Sequence, residues 1–155
     1  MNPAEELREK FAYDPTTGVF IRRSTGKVAG HRKDNGYLHF HFAGKKHGAH
    51  RLAWLYVHGS WPEHDVDHIN GIRSDNRIAN LRDVSRSENL QNQRRASARN
   101  KSTGVLGVYR HVDGRFTSRI CVNKRDTYLG LFDTVEAAQA AYLEAKHRLH
   151  PGSTI

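Results

Sequence analysis

Between residues 67 and 89 the chain carries four side chains whose types and spacing suit the hydrolysis of a phosphodiester: Asp67, His68, Asn80 and Asn89. That reaction needs an activated water, neutralised charge on the non-bridging oxygens, and a stabilised leaving alkoxide. One imidazole and one hard divalent cation supply all three. Asp67 offers a carboxylate for the cation, and the adjacent His68 can accept a proton from water. Adjacent residues of an extended segment point to opposite sides, so the pair must sit where a strand turns; Asn70-Gly71 supplies that turn. Asn80, twelve residues after His68, is a candidate for fixing the histidine's tautomer or pinning its loop. Ser85-Arg86-Ser87-Glu88 has the form of a capping box and starts a helix near residue 86. Asn89 then falls in the first turns, where its amide oxygen can face back toward Asp67.

These groups need elements to hold them. Residues 65–69 read as extended, followed by the Asn-Gly turn, an irregular loop, a short apolar piece at Ile78 and Leu81, and the capped helix. Upstream, residues 1–60 read as short strands separated by turn signals: Tyr13-Asp14-Pro15 and Thr16-Thr17-Gly18 before Val19-Phe20-Ile21, then Asp34-Asn35-Gly36 before Tyr37–Phe42. The last of these strands alternates, with Phe40 and Phe42 opposite His39 and His41. A helical stretch over Ala49–Tyr56 is ended by Gly59 and Pro62. His50 lies in that stretch; a place touching a phosphate or near the metal is open to it, and a structural or surface role is the one expected, since with 11 histidines in the chain close pairs arise by chance. His39, His41, His64 and His111 carry still less signal.

Residues 94–104 are basic, small and polar, the composition of a linker that runs beside a polyanion. Beyond them, Gly107–Arg110, Arg115–Val122 and Thr127–Gly130 read as three short strands with turns at Asp113-Gly114 and Asn123–Asp126. Thr134–Leu149 repeats apolar residues at helical spacing, with Asp133 or Thr134 as cap. In the middle strand, Phe116, Ser118, Ile120 and Val122 share the face expected to pack on this Ala-rich helix, which leaves Arg115, Thr117, Arg119 and Cys121 facing outward. From residue 93 to 125 there are nine Lys or Arg against one acid, Asp113. A sheet that presents arginines can enter a major groove and clasp phosphates.

Whole-chain composition narrows the partners. A formal net charge of +9 over 155 residues repels itself and is usually spent on a polyanion. Nucleic acid is the first candidate and an anionic membrane surface the second, with double-stranded DNA the expected form of the first. No stretch approaches the ~20 apolar residues of a bilayer span, and the first residues lack a signal peptide's pattern, so a membrane partner is not expected. The single cysteine, Cys121, can form no internal disulfide and builds no cysteine-rich zinc site, in keeping with a reducing compartment.

Val66-Asp67-His68-Ile69-Asn70-Gly71, Ser74–Leu81 and Ser87-Glu88-Asn89 together resemble the HNH endonuclease motif of phage and intron-encoded enzymes. The resemblance implies an α+β fold with a ββα-metal core. It also implies one divalent ion, Mg²⁺ first with Mn²⁺ or Ni²⁺ as alternatives, held by Asp67 and Asn89, with His68 as general base and Asn80 steadying the loop. The last motif position is often His in that family and is Asn here. Tyr13-Asp14-Pro15, Gly36-Tyr37 and His50–Trp54 also look like what precedes the motif in the phage enzymes, which implies a chain acting in a bacterial cytoplasm. Residues 103–149 resemble the AP2 DNA-binding domain through Gly107-Val108, Gly114-Arg115-Phe116, Tyr128–Thr134 and Glu136–Tyr142. That domain is a three-stranded antiparallel sheet packed on one helix, and its DNA-reading positions fall on Tyr109, His111, Arg115, Arg119, Cys121 and Tyr128. Arg110 and the linker residues Arg94, Arg95, Arg99 and Lys101 join them as expected DNA contacts. The expected organisation is therefore a nuclease domain over 1–93, with a β-rich segment over 1–60 and the ββα-metal motif over 65–98, a basic linker over 94–104, and an AP2-like domain over 105–150. Non-catalytic DNA binding and RNA binding are the competing functions. Whether the chain acts as a monomer or a homodimer is left open.

Overall fold

The computed structural model describes residues 2–98 and 100–155, so Arg99 lies outside the described residues. The chain divides into two units, residues 1–86 and 87–155. No helix among the described residues is long and apolar enough to cross a membrane.

The first unit opens with α1 (Pro3–Lys10), an element absent from the strand-and-turn reading of residues 1–60. Its start is fully capped. The Asn2 side chain accepts from the Ala4 amide, the Glu5 carboxylate accepts from the Asn2 amide, and Pro3 takes the first helical position. The chain then runs into β1 (Phe11–Asp14) and β2 (Val19–Arg22), an antiparallel hairpin whose turn is organised by Asp14, which accepts from the Thr16 amide and from the Thr16 and Thr17 hydroxyls. A third strand, β3 (Val28–Ala29), pairs with β2. A second three-stranded sheet follows, built from β4 (His31–Arg32), β5 (Leu38–Phe42) and β6 (Lys45–Gly48), with β5 in the middle. The alternation read along β5 holds: Phe40 and Phe42 are buried, and His41 is exposed.

Next, α2 (Ala49–His58) ends at Gly59, which adopts φ 78° and donates its amide to the Leu55 carbonyl. One core gathers Leu7 of α1, Phe11, Phe20 and Phe40 of the sheets, and Leu52 and Leu55 of α2. The three phenylalanine rings lie 5.0–6.4 Å apart in tilted or edge-on pairs, the arrangement their quadrupoles favour. The unit closes with β7 (Asp65–His68) and β8 (Leu81–Val84), paired antiparallel and separated by a loop that ends in a 3₁₀ turn over Ile78–Asn80.

The short helix α3 (Arg86–Gln91) begins where the capping-box reading placed a start, and the division between the units falls at its first residue. In the second unit, the described residues of 94–104 lie in turns and bends, without helix or strand. Asn100 donates its amide to the carbonyls of Val105 and Val108, and Thr103 donates its hydroxyl to Val108. The three expected strands are present as β9 (Val108–Arg110), β10 (Phe116–Val122) and β11 (Arg125–Phe132), an antiparallel sheet with β10 central. Across it packs α4 (Val135–Leu149), capped by the Thr134 hydroxyl, which accepts from Ala137. Ile120, Tyr142 and Ala145 form the heart of this second core. Gly107 is required there: a Cβ would stand 2.0 Å from the Tyr142 ring, and φ is +74°.

Candidate active site in the first unit and candidate DNA face in the second

The register of the β7–β8 pair fixes the chemistry of its face. Asp67 stands opposite Arg82, and His68 opposite Leu81. Cross-strand neighbours share a side, so Arg82 reaches Asp67 directly, donating from Nε (3.0 Å) and Nη2 (2.8 Å) to Oδ2. Asp67 and His68 are both buried. Burying a carboxylate is costly without a cationic neighbour or hydrogen bonds, and the guanidinium provides both here.

After His68 the chain turns at Asn70-Gly71, as read from sequence, with the Gly71 amide donating to the His68 carbonyl at 2.8 Å. Asn80 then ties the loop together. Its Oδ1 accepts from the Asn70 amide (2.9 Å), its Nδ2 donates to the Asp75 carbonyl (2.8 Å), and its own carbonyl accepts from Ile69. Asp75 adds a second junction: its carboxylate accepts from the Asn70 side chain and, through two bonds, from Arg77. The Arg77 bonds, then the Asn70 bond, hold the Asp75 carboxyl down at about 2.

Of the two tasks read for Asn80, the structure gives it the pinning of the loop. The contact to the imidazole belongs to Asn76, whose Oδ1 lies 3.2 Å from His68 Nε2. Asn76 Nδ2 donates to the Ser74 carbonyl, which turns Oδ1 toward the histidine. A carbonyl oxygen only accepts, so Nε2 carries the proton and Nδ1 is the basic nitrogen. Burial holds His68 below the usual histidine range, against the Asn76 bond and the Asp67 and Asp75 charges that raise it. The ring is thus neutral at neutral pH, the state a general base requires.

Sequence reasoning assigned no role to Asn76 or to the parts that hold it. Asn76 is almost completely buried. Its carbonyl accepts from the Tyr13 hydroxyl at 2.7 Å, and Ile78 donates to the Pro15 carbonyl. Gly18 presses the β1–β2 turn onto this segment so closely that a Cβ would stand 2.5 Å from Arg77 N and Asn76 C. The N-terminal hairpin is therefore a wall of the site. Asn76 did stand inside the quoted Ser74–Leu81 motif; the available signal was a second amide four residues before Asn80.

Of the structural and surface roles read for His50, the structure shows a packed ring. It sits in the first turn of α2, half-buried, with its ring 5.3 Å from that of His68 and 5.1 Å from that of Tyr37. Tyr37 lies 5.7 Å from His68, so the three rings close a triangle. Burial, followed by the neighbouring His68 and Arg51, pushes the His50 imidazole down to about 3.

Among the described residues, no three His, Cys, Asp or Glu side chains gather closely enough to hold a metal ion. A cation here would take one carboxylate with amide, phosphate or water oxygens. Asp67 is an oxygen donor of the type a hard cation takes, and its Oδ2 is engaged by Arg82, so a cation there would have to share or displace that guanidinium. Asn89, the other sequence-assigned ligand, lies on α3 in the second unit, half-buried.

In the second unit, Tyr109, Arg119 and Tyr128 are exposed, and Arg119 stands opposite Tyr128 in the β10–β11 register. Cys121 is exposed on the same strand. Thr117, expected to face outward with them, is buried, and its hydroxyl donates to the Tyr109 carbonyl. A bulge between Ser118 and Arg119 interrupts the register just beyond it. Arg110 is exposed, its guanidinium 5.3 Å over the Phe116 ring. At the β9–β10 tip, Asp113 accepts from Arg115 and His111 and is held well below the usual carboxylate range, by the Arg115 bonds first. Arg94 donates to the Thr154 hydroxyl, and Arg95 and Lys101 are exposed.

Against this geometry stand the comparisons with known proteins. Residues 47–91, from β6 to the end of α3, match a family model described as HNH endonuclease. A solved structure, of DNA binding and cleavage by the HNH homing endonuclease I-HmuI, aligns with 27% identity over 54% of this chain and 51% of that one, at a TM-score of 0.45. The chain thus spans about half the length of that structure. No curated protein matches significantly.

Proposed function

We propose that the chain is a metal-dependent DNA endonuclease, with its hydrolytic centre in the first unit and an AP2-like DNA-binding module in the second. The observation that carries this reading is the buried Asp67-His68 pair at the end of β7, inside the segment that matches the HNH endonuclease model. His68 takes a proton from water at Nδ1, and its other nitrogen is held by Asn76. Asn80 and Asp75 keep the loop that positions the histidine, and they need touch no reacting atom. Asp67 would hold the cation, Mg²⁺ first; Asn89, the other ligand assigned from sequence, belongs to the second unit. When bound, such an ion polarises the phosphate and stabilises the leaving oxygen. Products would carry 5′-phosphate and 3′-hydroxyl ends.

The positive surplus of the second unit supports duplex DNA as the substrate. Tyr109, Arg110, His111, Arg115, Arg119 and Tyr128 are the proposed groove contacts, with Arg94, Arg95, Arg99 and Lys101 on the phosphates. The test follows supercoiled, nicked and linear plasmid with time in Mg²⁺, Mn²⁺ or Ni²⁺. Wild-type chain is expected to nick or linearise it, and His68→Ala to lose about 10³-fold in rate while retaining DNA affinity. Wild-type chain inert in all three metals, or a His68→Ala variant at full rate, would refute the proposal.

A further inference from the structure

The ring of His50 is built into the first unit in a way that plain packing does not require. Its Nδ1 is completely buried and has no hydrogen-bond partner. The ring lies so tightly over Gly48 that a Cβ there would stand 2.5 Å from Cε1 and 3.0 Å from Nδ1. Only glycine lets the imidazole settle at this depth. Tyr37 packs against it from the other side, and Arg73 in turn lies 5.1 Å over Tyr37. Arg32 and Arg73 both approach Gly36 at the rim of this aromatic group, so positive charge borders the two histidines.

A neutral imidazole has one N–H and one lone pair. Orphaned buried N–H groups are rarer in proteins than under-satisfied acceptors, so the sealed Nδ1 takes the lone pair and Nε2 carries the hydrogen. Burial keeps the ring neutral and the tautomer fixed. Nε2 is not among the sealed side-chain atoms, and no hydrogen bond among the described residues involves it. The result is a defined donor beside the ring of the general base, without a partner in the protein.

We propose that His50 is a second substrate-contacting imidazole, whose Nε2–H donates to a non-bridging oxygen of the phosphodiester attacked by the water that His68 deprotonates. No proton is transferred from His50. The hydrogen bond strengthens as charge accumulates on that oxygen in the transition state, the way an oxyanion-hole donor acts. The inference rests on the nuclease reading and adds a residue that reading does not need.

The experiment uses full-length chain and supercoiled plasmid, followed by a duplex bearing a stereodefined phosphorothioate at the mapped nick. His50→Ala is expected to lower the saturating nicking rate by about 10²-fold, with DNA Kd unchanged. His50→Gln, which keeps an N–H donor, is expected to regain part of the rate. In wild-type chain one phosphorothioate isomer should slow cleavage more than the other, and His50→Ala should abolish that difference. A readout independent of variants is the ¹⁵N resonance of His50 Nε2, expected to shift when metal-free chain binds the cleavage-site duplex. Overturning results are full activity in His50→Ala, an isomer preference that survives the substitution, or an unmoved Nε2 resonance. Wild-type chain that nicks nothing would sink the nuclease reading itself, whereas an active His50→Ala sinks only the role of His50.

Discussion

Asp75 in the first unit and Asp113 in the second are both turn carboxylates gripped by an arginine two residues on, yet they are embedded differently. Asp75 also binds the Asn70 side chain, and its backbone carbonyl accepts from Asn80, so the carboxylate is one node of a network spanning ten residues around His68. Asp113 binds only groups within two residues, Arg115 and His111, at the exposed tip of a hairpin. The same contrast runs through both units. In the first, polar atoms bind one another and the backbone, which fixes an imidazole to within the tolerance catalysis demands. In the second, most charges point to solvent, where they can neutralise phosphates of a polyanion and release its condensed counterions. Geometry is conserved in one place and charge is presented in the other.

If that contrast is real, damage to the two units should separate cleavage from binding, and the His68→Ala result described above is its largest expected effect. The glycines give the next test. Gly18→Ala forces a side chain onto backbone atoms at 2.5 Å and at φ +73°, whereas Gly114→Ala, at φ +91°, meets nothing within 4 Å. The first should destabilise its unit by about 3 kcal/mol and slow nicking in parallel; the second should cost about 1 kcal/mol with nicking intact. Thermal melts of both variants decide it, and equal losses would erase the distinction.

Titration should move the two units in separate pH windows, each gaining stability as pH rises. Asp75 is held at about 2 against an ordinary 3.8, so its stabilisation, about 2 kcal/mol, is present above pH 3.8 and lost as pH falls through 2. Lys146 of α4, almost completely buried with Nζ donating to the Gln93 carbonyl, is pushed by burial and then by Arg94 down to about 8 from 10.5. Its charge therefore costs the second unit stability below pH 8, by about 3 kcal/mol, and that cost disappears as pH rises to 10.5. Unit-resolved hydrogen exchange across pH checks both slopes, and Lys146→Met should flatten the alkaline one. The smallest effect is on binding: Arg119→Ala with Tyr128→Ala should raise DNA Kd about tenfold and lower the salt slope by about one, with the saturating nicking rate unaltered.

Local signals carried most of the elements. The Asn-Gly turn, the alternation along β5, the start of α3 and the Thr134-capped helix were all legible because each depends on residues a few positions apart. The helix α1 was equally local, with Asn2, Pro3 and Glu5 spelling its cap, and was lost inside a segment dominated by strand and turn composition. What could not be read locally was closure. Asn76 meets His68 only because Tyr13 and Gly18 press on it from some sixty residues upstream, and His50 meets His68 only because α2 begins directly after a glycine with no Cβ in the way. Burial of Thr117 likewise depends on its strand neighbour, Tyr109, rather than on alternation. Spacing in sequence singled out the candidate side chains; which nitrogen of His68 is basic depended on contacts made across the fold.

The lone sulfur of the chain, Cys121, is exposed on β10 two residues beyond Arg119, and its carbonyl accepts from His150. The protein therefore comes with a single natural attachment point on the strand that carries a proposed groove contact. A fluorophore or cross-linker can be placed there on unmodified wild-type chain, with no competing thiol elsewhere and no engineered residue to disturb the first unit.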